Sequence, residues 1–562
     1  MMRISSCLAR LAAVLLPALA AASVATAQTA PAWGSATRVG TRSSTHDEFG
    51  RTAVDGAGNL YRVGSFSGSL DLGGTVLTAR SADTDAYLAK YTSSGTLAWV
   101  RHLSSAAQDI AHDVALDAAG NVYLTGSYTD DLDLGNDVAL TGGGQIGKLF
   151  VARFSPQGLA QWARQSAPAP DNLVGGSGLV VDAGGTVAVT GLCHGSISIG
   201  TTTATLPAPA KGGAFLARFN GATGALLTLA PGFWYSRTGQ EGLYLPHLAL
   251  APAGDYYLLT QQAGDQTLEV GSTTLLPGGT GDAVATRISA AGTVIWAQHL
   301  AIGNNPQANF YYRGRTDAAG NLYLAGTFSG TAHASGTTIV SSGDYDAFLL
   351  KYSPQGAVEW LRTSGGTGLD RWSDLSLDAQ GNAYVTGSFA STATIGSTSL
   401  TSAGGSDVAV ACYSPQGQVR WAQRAGGPGN DHAYFLGLEE RAVRVLGSFT
   451  DGSAFGSVVL NSSLASGELF VGVLQNPVLA ARAAQPQALA GLYPNPATEV
   501  VRLPTMPGGT HIQFIDRLGR VARETTVSAA AQVSVRGLAP GLYTLRATDV
   551  EGRQFAGRVA VE

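Results

Sequence analysis

The segment Asp117-Ala-Ala-Gly-Asn-Val-Tyr-Leu-Thr-Gly126 decides the fold, because copies of it recur along the whole chain. In each copy an apolar strand leads into an Asp, Gly and Asn turn, and a second strand that carries Tyr or Val follows. Each copy therefore predicts a β-hairpin. Close copies begin at Asp55, Asp117, Asp317 and Asp378, weaker ones begin at Asp182 and Ala251, and a degraded seventh begins at Glu439.

A second hairpin follows each of the first six copies, and most of these hairpins end in a strand that carries Trp. Three of the turns read Ser-Pro-Gln-Gly, in which proline pre-sets φ and glycine accepts a left-handed exit. Where neighbouring tryptophans are intact, they are 61 to 66 residues apart, and Thr228 stands where one more would complete the series. Four short strands per repeat, repeated seven times, predict a β-propeller. The series is Trp33, Trp99, Trp162, Thr228, Trp296, Trp360 and Trp421.

The two ends of the repeat favour a closed propeller over a linear solenoid. The chain begins the repeat with a Trp strand that has no hairpin before it, and it ends near residue 474 with no Trp strand after it. The first strand can complete the last unit and remove exposed strand edges, whereas a solenoid needs polar caps. We therefore predict an all-β chain in which residues 28–474 form a seven-bladed β-propeller closed by an N-terminal strand.

The repeated units resemble the bacterial β-propeller repeats called SBBP. The pattern of that family is Asp-x-Ala, then Val-Asp-x-x-Gly-Asn-x-Tyr-x-Thr-Gly, then Asp-x-Phe-x-x-Lys. The resemblance covers residues 33–474, and the third, fourth and seventh copies depart from the pattern. It implies a propeller and no particular reaction.

The last part of the chain predicts a second, smaller domain. Residues 475–488 are rich in Ala, Gln and Pro, which is typical of a linker. Residues 489–562 contain short strands of alternating polarity, which predict a small Ig-like β-sandwich.

This domain is similar to the type A C-terminal sorting domain of the type IX (Por) secretion system. The resemblance rests on an opening Tyr-Pro-Asn-Pro, an Asp-x-x-Gly-Arg turn and a late Gly-x-Tyr strand. It implies recognition by the type IX secretion machinery, removal of the domain, and release or lipopolysaccharide-linked display in a Gram-negative bacterium of the Bacteroidetes type. The residues that match the motif are Tyr493, Pro494, Asn495, Pro496, Gly541 and Tyr543.

Residues 1–27 predict a cleaved signal peptide. Arg3 and Arg10 supply a positive start, an apolar run begins at Leu11, and Ala25-Thr-Ala27 offers a cleavage site. No other stretch approaches the ~18 apolar residues that a spanning helix needs, so we predict no transmembrane segment. The predicted location is secreted, extracellular or at the outer-membrane surface, reached through the periplasm.

Two cysteines remain after that cleavage, and we predict that both are unpaired and buried. Cys193 and Cys412 fall in units three and six, which are not neighbours in the predicted propeller. Their Cα atoms should therefore be much farther apart than the ~7 Å limit for a disulfide bond.

Composition excludes several classes of protein. The chain has 34 basic and 39 acidic residues, which argues against a nucleic-acid partner. Its hydrophobic fraction of 45% argues against disorder, and its 74 glycines have no three-residue period, which excludes collagen. The nine histidines form no zinc motif, and the sequence contains neither a Gly-x-Ser-x-Gly elbow nor a P-loop. We therefore predict no cofactor and name no catalytic residue.

A set of aspartates precedes the predicted innermost strands and would surround one mouth of the central channel. One interpretation is a cation site or a negative funnel for a basic ligand. The other is that these side chains cap the loops between units, and the frequency of such bonds in loops favours it. The set is Asp47, Asp109, Asp171, Asp370 and Asp431, with Asn309 in unit five.

Aromatic and basic residues gather where the copies break the pattern. They can form a platform for a sugar or a peptide, or they can fill a locally wider core. They are Trp234, Tyr235, Arg237, Tyr311, Tyr312 and Trp372.

The sequence therefore predicts a secreted or cell-surface binding or scaffolding module with a glycan or protein ligand. The alternative is an extracellular polysaccharide hydrolase or lyase with its site at the channel mouth. A glycosidase needs two carboxylates about 5 to 10 Å apart across a cleft, and a sequence cannot show that pairing.

Overall fold

The structure is a computed structural model, and the part of the chain that it describes is all-β. Strand β1 (Trp33–Thr41) precedes the first sequence copy. We call the seven sequence copies units one to seven. The described residues are 30–41, 51–142, 147–168, 175–208, 210, 212–235, 246–251, 254–263, 267–278, 281–302, 313–439, 442–462, 464, 467–475, 487–489, 492–503, 506, 509–516, 521–548 and 554–562.

Units one to three occupy the chain up to residue 235. Unit one contains β2 (Thr52–Val54), β3 (Leu60–Phe66), β4 (Ser69–Asp71), β5 (Val76–Thr78), β6 (Asp85–Tyr91) and β7 (Leu97–Leu103). Unit two contains β8 (Asp109–Leu116), β9 (Val122–Tyr128), β10 (Leu132–Asp133), β11 (Ala139–Leu140), β12 (Lys148–Phe154) and β13 (Ala160–Gln165). Unit three contains β14 (Gly175–Val181), β15 (Thr186–His194), β16 (Ser196–Ile199), β17 (Thr202–Thr205), β18 (Gly212–Asn220) and β19 (Leu226–Tyr235).

Units four to seven continue the same order of strands. Unit four contains β20 (His247–Leu250), β21 (Tyr256–Ala263), β22 (Leu268–Val270), β23 (Thr273–Leu275), β24 (Gly281–Ile288) and β25 (Val294–Ile302). Unit five contains β26 (Arg313–Thr316), β27 (Leu322–Phe328), β28 (Thr331–Ala334), β29 (Thr337–Val340), β30 (Asp346–Tyr352) and β31 (Val358–Gly366). Unit six contains β32 (Arg371–Leu377), β33 (Ala383–Ile395), β34 (Thr398–Tyr413) and β35 (Val419–Ala425). Unit seven contains β36 (His432–Leu438), β37 (Ala442–Phe449), β38 (Ser453–Phe455), β39 (Val458–Leu460) and β40 (Glu468–Gln475).

The C-terminal segment forms two further sheets. Their strands are β41 (Gln487–Ala488), β42 (Val500–Arg502), β43 (His511–Ile515), β44 (Val521–Thr526), β45 (Gln532–Ser534), β46 (Gly541–Thr548) and β47 (Gln554–Val561). One sheet has the order β41-β47-β46-β43-β44, and β42 pairs with β45 in the other. Both contribute to one apolar cluster, in which Val501, Phe514 and Leu545 are fully buried.

Four main strands of a unit pair antiparallel in chain order, as in β8-β9-β12-β13. A short hairpin lies between the second and third main strands, and in unit six it is continuous with β33 and β34. Strand β1 pairs antiparallel with β40, with Trp33 opposite Leu474 and Thr41 opposite Glu468. The first strand of the repeat therefore lies beside the last one, as the two ends of the sequence repeat predict.

The apolar cores lie between consecutive units. One cluster joins Tyr61 of unit one to Phe150 of unit two, and another joins Phe435 of unit seven to Tyr87 of unit one. The first main strands also contact one another in sequence, and β36 of unit seven contacts β2 of unit one. Burying one such aromatic side chain contributes about 1.5–3 kcal/mol. Because both faces of these sheets are covered, most strand positions are apolar, which accounts for the charged fraction of only 13%.

The repeated turn is held by its aspartate. Asp117 Oδ1 accepts the backbone N–H of Ala119 at 3.0 Å and that of Asn121 at 2.9 Å, and Oδ2 accepts the Asn121 amide at 2.7 Å. The Tyr123 hydroxyl also donates to Oδ2, at 3.1 Å. The carboxylate is thus the cap of its own hairpin. Asp55, Asp317 and Asp378 accept the corresponding N–H groups in their units.

The tryptophan of one unit packs on the third-to-fourth-strand turn of the next unit. Trp360 Nε1 donates to the Pro415 carbonyl at 3.0 Å, and its indole lies against Gly417. Trp99 and Trp296 donate in the same way to the carbonyls of Pro156 and Pro354. A glycine with positive φ is needed in this turn both for the backbone conformation and to leave room for the indole.

Three units depart from this contact, and the Trp33 N–H of β1, the fourth strand of unit seven, donates to unit six instead. In unit three Thr228 has the register of the missing tryptophan, and Arg218 donates instead to the Ala290 carbonyl in the turn of unit four. In unit six the Trp421 N–H finds no acceptor among the described residues. Unit seven has no turn at that place, because its fourth strand is β1 from the other end of the repeat.

The cysteine prediction is confirmed. Cys193 and Cys412 are both free and buried. Burial raises the pKa of each thiol to about 12, so neither is a reactive thiolate near neutral pH.

We expect Gly417→Ala to lower the free energy of unfolding by about 1–3 kcal/mol more than Gly135→Ala does. The two glycines have φ of +75° and +80°, so both alanines meet the same backbone strain. A Cβ at Gly417 would lie 2.8 Å from the Trp360 ring, whereas nothing lies within 4 Å of a Cβ at Gly135. Urea unfolding followed by circular dichroism measures both energies. Equal losses would show that the contact of tryptophan and turn adds nothing to stability.

Candidate functional site

A central cavity of about 440 Å³ lies among the first strands of all seven units. Its volume falls in the range of small-molecule sites, about 300–1,000 Å³. Each unit contributes residues at or next to its first strand, so no single unit can form the cavity. The polar lining residues of the described chain include Arg51, Asp113, His247, Arg313, Arg315, Asp374, Ser376 and Tyr434.

One position of the repeat supplies most of the chemistry of this cavity. It lies four residues before the turn aspartate or its equivalent, and we call its occupants the variable set. Backbone pairing keeps them equivalent: Asp113 is opposite Thr125, Arg313 is opposite Ala325, and Asp374 is opposite Thr386. While the turn aspartate recurs, the variable set changes in charge and size from unit to unit. Its members are Arg51, Asp113, Gly178, His247, Arg313, Asp374 and Phe435.

His247 lies between two guanidinium groups of the variable set. Arg51 Nη2 is 2.9 Å from Nδ1 and 3.0 Å from Nε2 of the imidazole, and Arg313 Nη1 is 3.2 Å from Nε2. Burial and the two positive charges hold the pKa of His247 well below its usual value, so the ring is neutral. Burial and the charge of Arg51 lower the pKa of Arg313 to about 9, which still leaves it charged at pH 7.

The two carboxylates of the variable set join neighbouring units. Asp113 Oδ2 accepts the backbone N–H of Leu179 in unit three at 2.8 Å, and Asp374 Oδ2 accepts that of Leu436 in unit seven at 2.9 Å. Oδ1 of Asp374 lies 3.9–4.0 Å from Arg313 and Arg315. Burial raises the pKa of Asp113.

The opposite end of the cavity is apolar. Val54, Leu116, Leu250 and Leu438 line it, and each directly precedes the turn of its unit. All four are half-buried, and each also packs against an apolar core cluster. The cavity therefore joins a charged half to an apolar half.

The aspartates that the sequence places at the channel mouth cap loops in the described part of the chain. Asp109 Oδ2 accepts the Ser105 N–H at 2.5 Å, and Asp370 Oδ2 accepts the Gly366 N–H at 2.7 Å. Asp431 accepts the N–H groups of Gly427 and Thr450. These three line none of the central cavity, so their geometry supports the capping interpretation rather than a funnel. Asp47, Asp171 and Asn309 lie outside the described residues.

No metal-ligating group of three His, Cys, Asp or Glu side chains occurs in the described ranges. The three buried aspartates instead carry raised pKa values. Burial is the main cause at each, and it brings the pKa of Asp109 and of Asp370 to about 7. The neighbouring carboxylates Asp85 and Asp346 add to the shift at Asp109 and Asp370, respectively.

The predicted aromatic platform is not assembled by the residues that can be placed. Trp372 is 2% exposed in a core cluster and borders a cavity of only about 10 Å³, roughly the space of one water. Trp234 is half-buried against the core between units two and three. The backbone of Tyr235 ends β19, but its side chain lies outside the described part, as do Arg237, Tyr311 and Tyr312. Trp372 therefore fills the core, and a platform for the others stays a prediction.

Motif analysis missed the variable set because no member belongs to a known motif. A signal was present in the repeat itself. When the seven copies are aligned on the turn, the position four residues upstream is occupied by Arg, Asp, Gly, His, Arg, Asp and Phe. The position varies more than the turn that follows it, and in five of the seven copies it carries a charged or titratable side chain.

The Tyr-Pro-Asn-Pro segment is hydrogen-bonded to β47, the last strand of the chain. Asn495 Nδ2 donates to the Arg558 carbonyl at 3.0 Å, and the Ala560 N–H donates to Asn495 Oδ1 at 2.8 Å. Tyr493 is 50% exposed and lies under the Arg502 guanidinium. Pro494 and Pro496 both follow cis peptide bonds. The other motif tyrosine, Tyr543, is buried and donates to the Ala539 carbonyl at 2.8 Å, two residues before Gly541.

Residues 491–562 match the secretion system C-terminal sorting domain. This domain marks a protein for secretion to the cell surface or the extracellular space. The protein is a secreted or cell-surface protein. Recognition by the type IX secretion system follows from the same domain, as the sequence motif predicts. In the part of the chain that the structure describes, there is no helix of the length and apolarity needed to cross a membrane.

A viral protein is similar to a large part of the chain. The chain is 21% identical over 439 residues to an uncharacterized WD repeat-containing protein of Acanthamoeba polyphaga mimivirus, with 65% of this chain and 31% of that protein aligned. The chain thus spans about a third of that relative's length.

Solved structures with some likeness have low TM-scores. A protein of unknown function from Dyadobacter fermentans is 12% identical, with 70% of this chain and 98% of that chain covered and a TM-score of 0.34. Puromycin hydrolase is 13% identical, with 92% and 62% covered and a TM-score of 0.37. The extracellular domain of a putative hybrid two-component system of B. thetaiotaomicron is 10% identical, with 91% and 84% covered and a TM-score of 0.18. Likenesses at this level carry no argument about function.

The raised pKa of Asp370 predicts a pH-dependent contribution to stability. The folded state keeps a proton up to about pH 7, whereas the unfolded chain releases it near the ordinary aspartate pKa of 3.8. This stability is complete below the unfolded pKa and is lost as the pH rises through the folded pKa. The free energy of unfolding of the wild type, relative to Asp370→Asn, should therefore fall by on the order of 2–4 kcal/mol between pH 4 and pH 7.

Urea unfolding at several pH values measures this difference, and contributions from titrating groups that do not interact with Asp370 cancel between the two proteins. Asp133→Asn, at an exposed turn aspartate, is the control and should show no comparable slope. A pH-independent difference for Asp370→Asn would contradict the prediction.

Truncation after residue 488 should leave the protein in the periplasm, because the export machinery would lose the domain that it recognises. Fractionation of cells and medium by immunoblot measures the location. A periplasmic reporter fused to residues 489–562 is the converse control and should reach the surface or the medium. Export of the truncated chain across the outer membrane would contradict a sorting role.

Proposed function

We propose that residues 28–474 form a seven-bladed β-propeller closed by β1, and that this secreted protein is a ligand-binding or scaffolding module. Seven sequence copies, the pairing of β1 with β40, and the apolar cluster between units seven and one support the closed propeller. The similarity to a WD repeat-containing protein agrees with it, because WD repeats build propeller blades.

The same proposal assigns the copies to the SBBP type of repeat and the C-terminal domain to type A, with an Ig-like sandwich fold. The residues of each motif support these assignments. On this view residues 1–27 are removed during export, and removal of the sorting domain leaves the propeller as the mature protein. A glycan or a protein is the ligand class that a surface-exposed module of this kind meets.

The central cavity is the observation that carries the binding function. Its scaffold is repeated seven times, whereas the side chains that point to it differ from unit to unit. Repetition of the turns and tryptophans serves the fold, and an asymmetric set of polar groups in a pocket of suitable size is typical of a ligand site. We therefore place the ligand in this cavity.

The enzyme alternative rests on Asp113 and Asp374, the two carboxylates that line the cavity in the described chain. The raised pKa of Asp113 is what a general acid needs. Each carboxylate, however, already accepts a backbone N–H of a neighbouring unit through Oδ2, which gives both a structural role. This favours binding over catalysis.

We expect Ala115→Trp to abolish ligand binding, because Ala115 lines the cavity and an indole would fill much of it. The chain without residues 1–27 is applied to glycan and peptide arrays, and hits are compared with those of the variant. Leu159→Trp, at a half-exposed turn residue of the same unit, is the matched control and should keep every hit. Hits that survive Ala115→Trp would place the ligand elsewhere.

Polysaccharide hits from the array also test the enzyme alternative. Incubation of each with the protein, followed by chromatography of the products, detects cleavage. We expect intact polysaccharide. Products that appear with the wild type and disappear with Asp374→Asn would replace the binding function by a hydrolase or lyase activity.

A further inference from the structure

We propose that the central cavity binds a small organic anion, of the class of sugar acids and other ligands with a carboxylate, sulfate or phosphate group, through Arg51, Arg313 and Arg315. This inference rests on the proposed function, which makes the cavity the ligand site. It adds the chemical class of the ligand and the residues that recognise it.

The charge balance of the described lining residues is positive. Among the described lining residues there are three arginines and two aspartates. One oxygen of each aspartate accepts a backbone N–H, and the other oxygen of Asp374 lies 3.9–4.0 Å from Arg313 and Arg315, which leaves a formal excess of one positive charge.

The imidazole of His247 keeps two guanidinium groups close together without neutralising them. Arg51 and Arg313 approach its nitrogens to within 2.9–3.2 Å, and the ring stays neutral between them. A neutral spacer holds two positive groups at one side of the cavity at a short separation. An oxyanion placed there would meet both charges at once.

Arg315 brings the third guanidinium to the same face. It follows Arg313 by two residues in β26, so the two side chains leave the strand on the same side. The Arg315 side chain is 43% exposed and that of Arg313 is 10% exposed. An entering ligand can therefore reach Arg315 more readily than Arg313, which lies deeper.

Guanidinium groups suit this ligand class for geometric reasons. A planar fork of N–H donors matches carboxylate, sulfate and phosphate oxygens with two parallel hydrogen bonds. The apolar half of the cavity, lined by Val54 and Leu116, can cover the hydrocarbon face of a sugar ring or a short chain. An acidic group joined to a compact organic body therefore fits both halves.

The test measures binding by calorimetry and by the shift in Tm at constant ionic strength, with five probes: glucuronate, inorganic sulfate, inorganic phosphate, glucose and glucosamine. Glucuronate should bind and raise Tm in proportion to its occupancy, whereas neutral glucose and cationic glucosamine should not. If inorganic sulfate or phosphate also binds, the oxyanion is sufficient for recognition. If glucuronate binds and the two inorganic anions do not, the cavity also recognises the sugar ring. Either result supports the proposal.

Arg315→Gln should weaken glucuronate binding tenfold or more, since it removes a charge-assisted pair of hydrogen bonds. Arg315→Lys keeps the positive charge but lacks the planar pair of donors, so its affinity for glucuronate should lie between those of the wild type and Arg315→Gln. This variant provides the test if Arg315→Gln fails to fold. Arg80→Gln, at an exposed arginine outside the cavity, is the control and should bind like the wild type.

Equal binding of glucose and glucuronate, or unchanged affinity in Arg315→Gln, would overturn the anion class. If array ligands are neutral or cationic and are lost in Ala115→Trp, the binding function stands and this inference fails. If Ala115→Trp leaves every ligand bound, the cavity is not the site and the proposed function fails with it.

Discussion

The contact between a tryptophan and the glycine turn of the next unit is the constraint on which the repeat depends. The indole of Trp360 needs an acceptor carbonyl at Pro415 and a Cβ-free position at Gly417. Where this contact is made, the partner belongs to the following unit, so no unit can satisfy it alone, and the apolar clusters likewise lie between units. Stability of the repeat is therefore a property of neighbouring pairs, and the last unit needs β1 as its neighbour strand.

Because the repeated contacts stabilise the fold, few positions of the repeat are left for ligand binding. Turn aspartates such as Asp117 cap hairpins, and tryptophans join units, so their recurrence says nothing about a ligand. The first strands line the cavity, and their polar side chains differ from unit to unit. His247, Arg313 and Asp374 occupy equivalent backbone positions and yet differ in charge. The fold thus supplies a rigid, repeated frame on which an asymmetric site can be assembled.

The prediction of strands, turns and buried free cysteines from the sequence succeeded because each depends on local chemistry. Hairpins follow from an Asp, Gly and Asn turn, and the register of Thr228 follows from the spacing of the tryptophans. The candidate site was harder to predict, since its members are spread over hundreds of residues and share no motif. Trp372 illustrates the limit: a break in the pattern allowed either a surface platform or a locally wider core, and the structure places its ring in the core.

By itself, the sequence determined the cellular location of this protein, its all-β class and the length of its repeat. Each of these can be recognised in short contiguous segments, such as the motif at Tyr493 and the turn at Asp117. Only the tertiary structure decided which side of each first strand faces the cavity, and therefore that Arg51, His247 and Arg313 meet although 66 or more residues separate them. The physical reason is that the charge of a site depends on which strands lie next to one another in space. A local sequence pattern does not specify those neighbours.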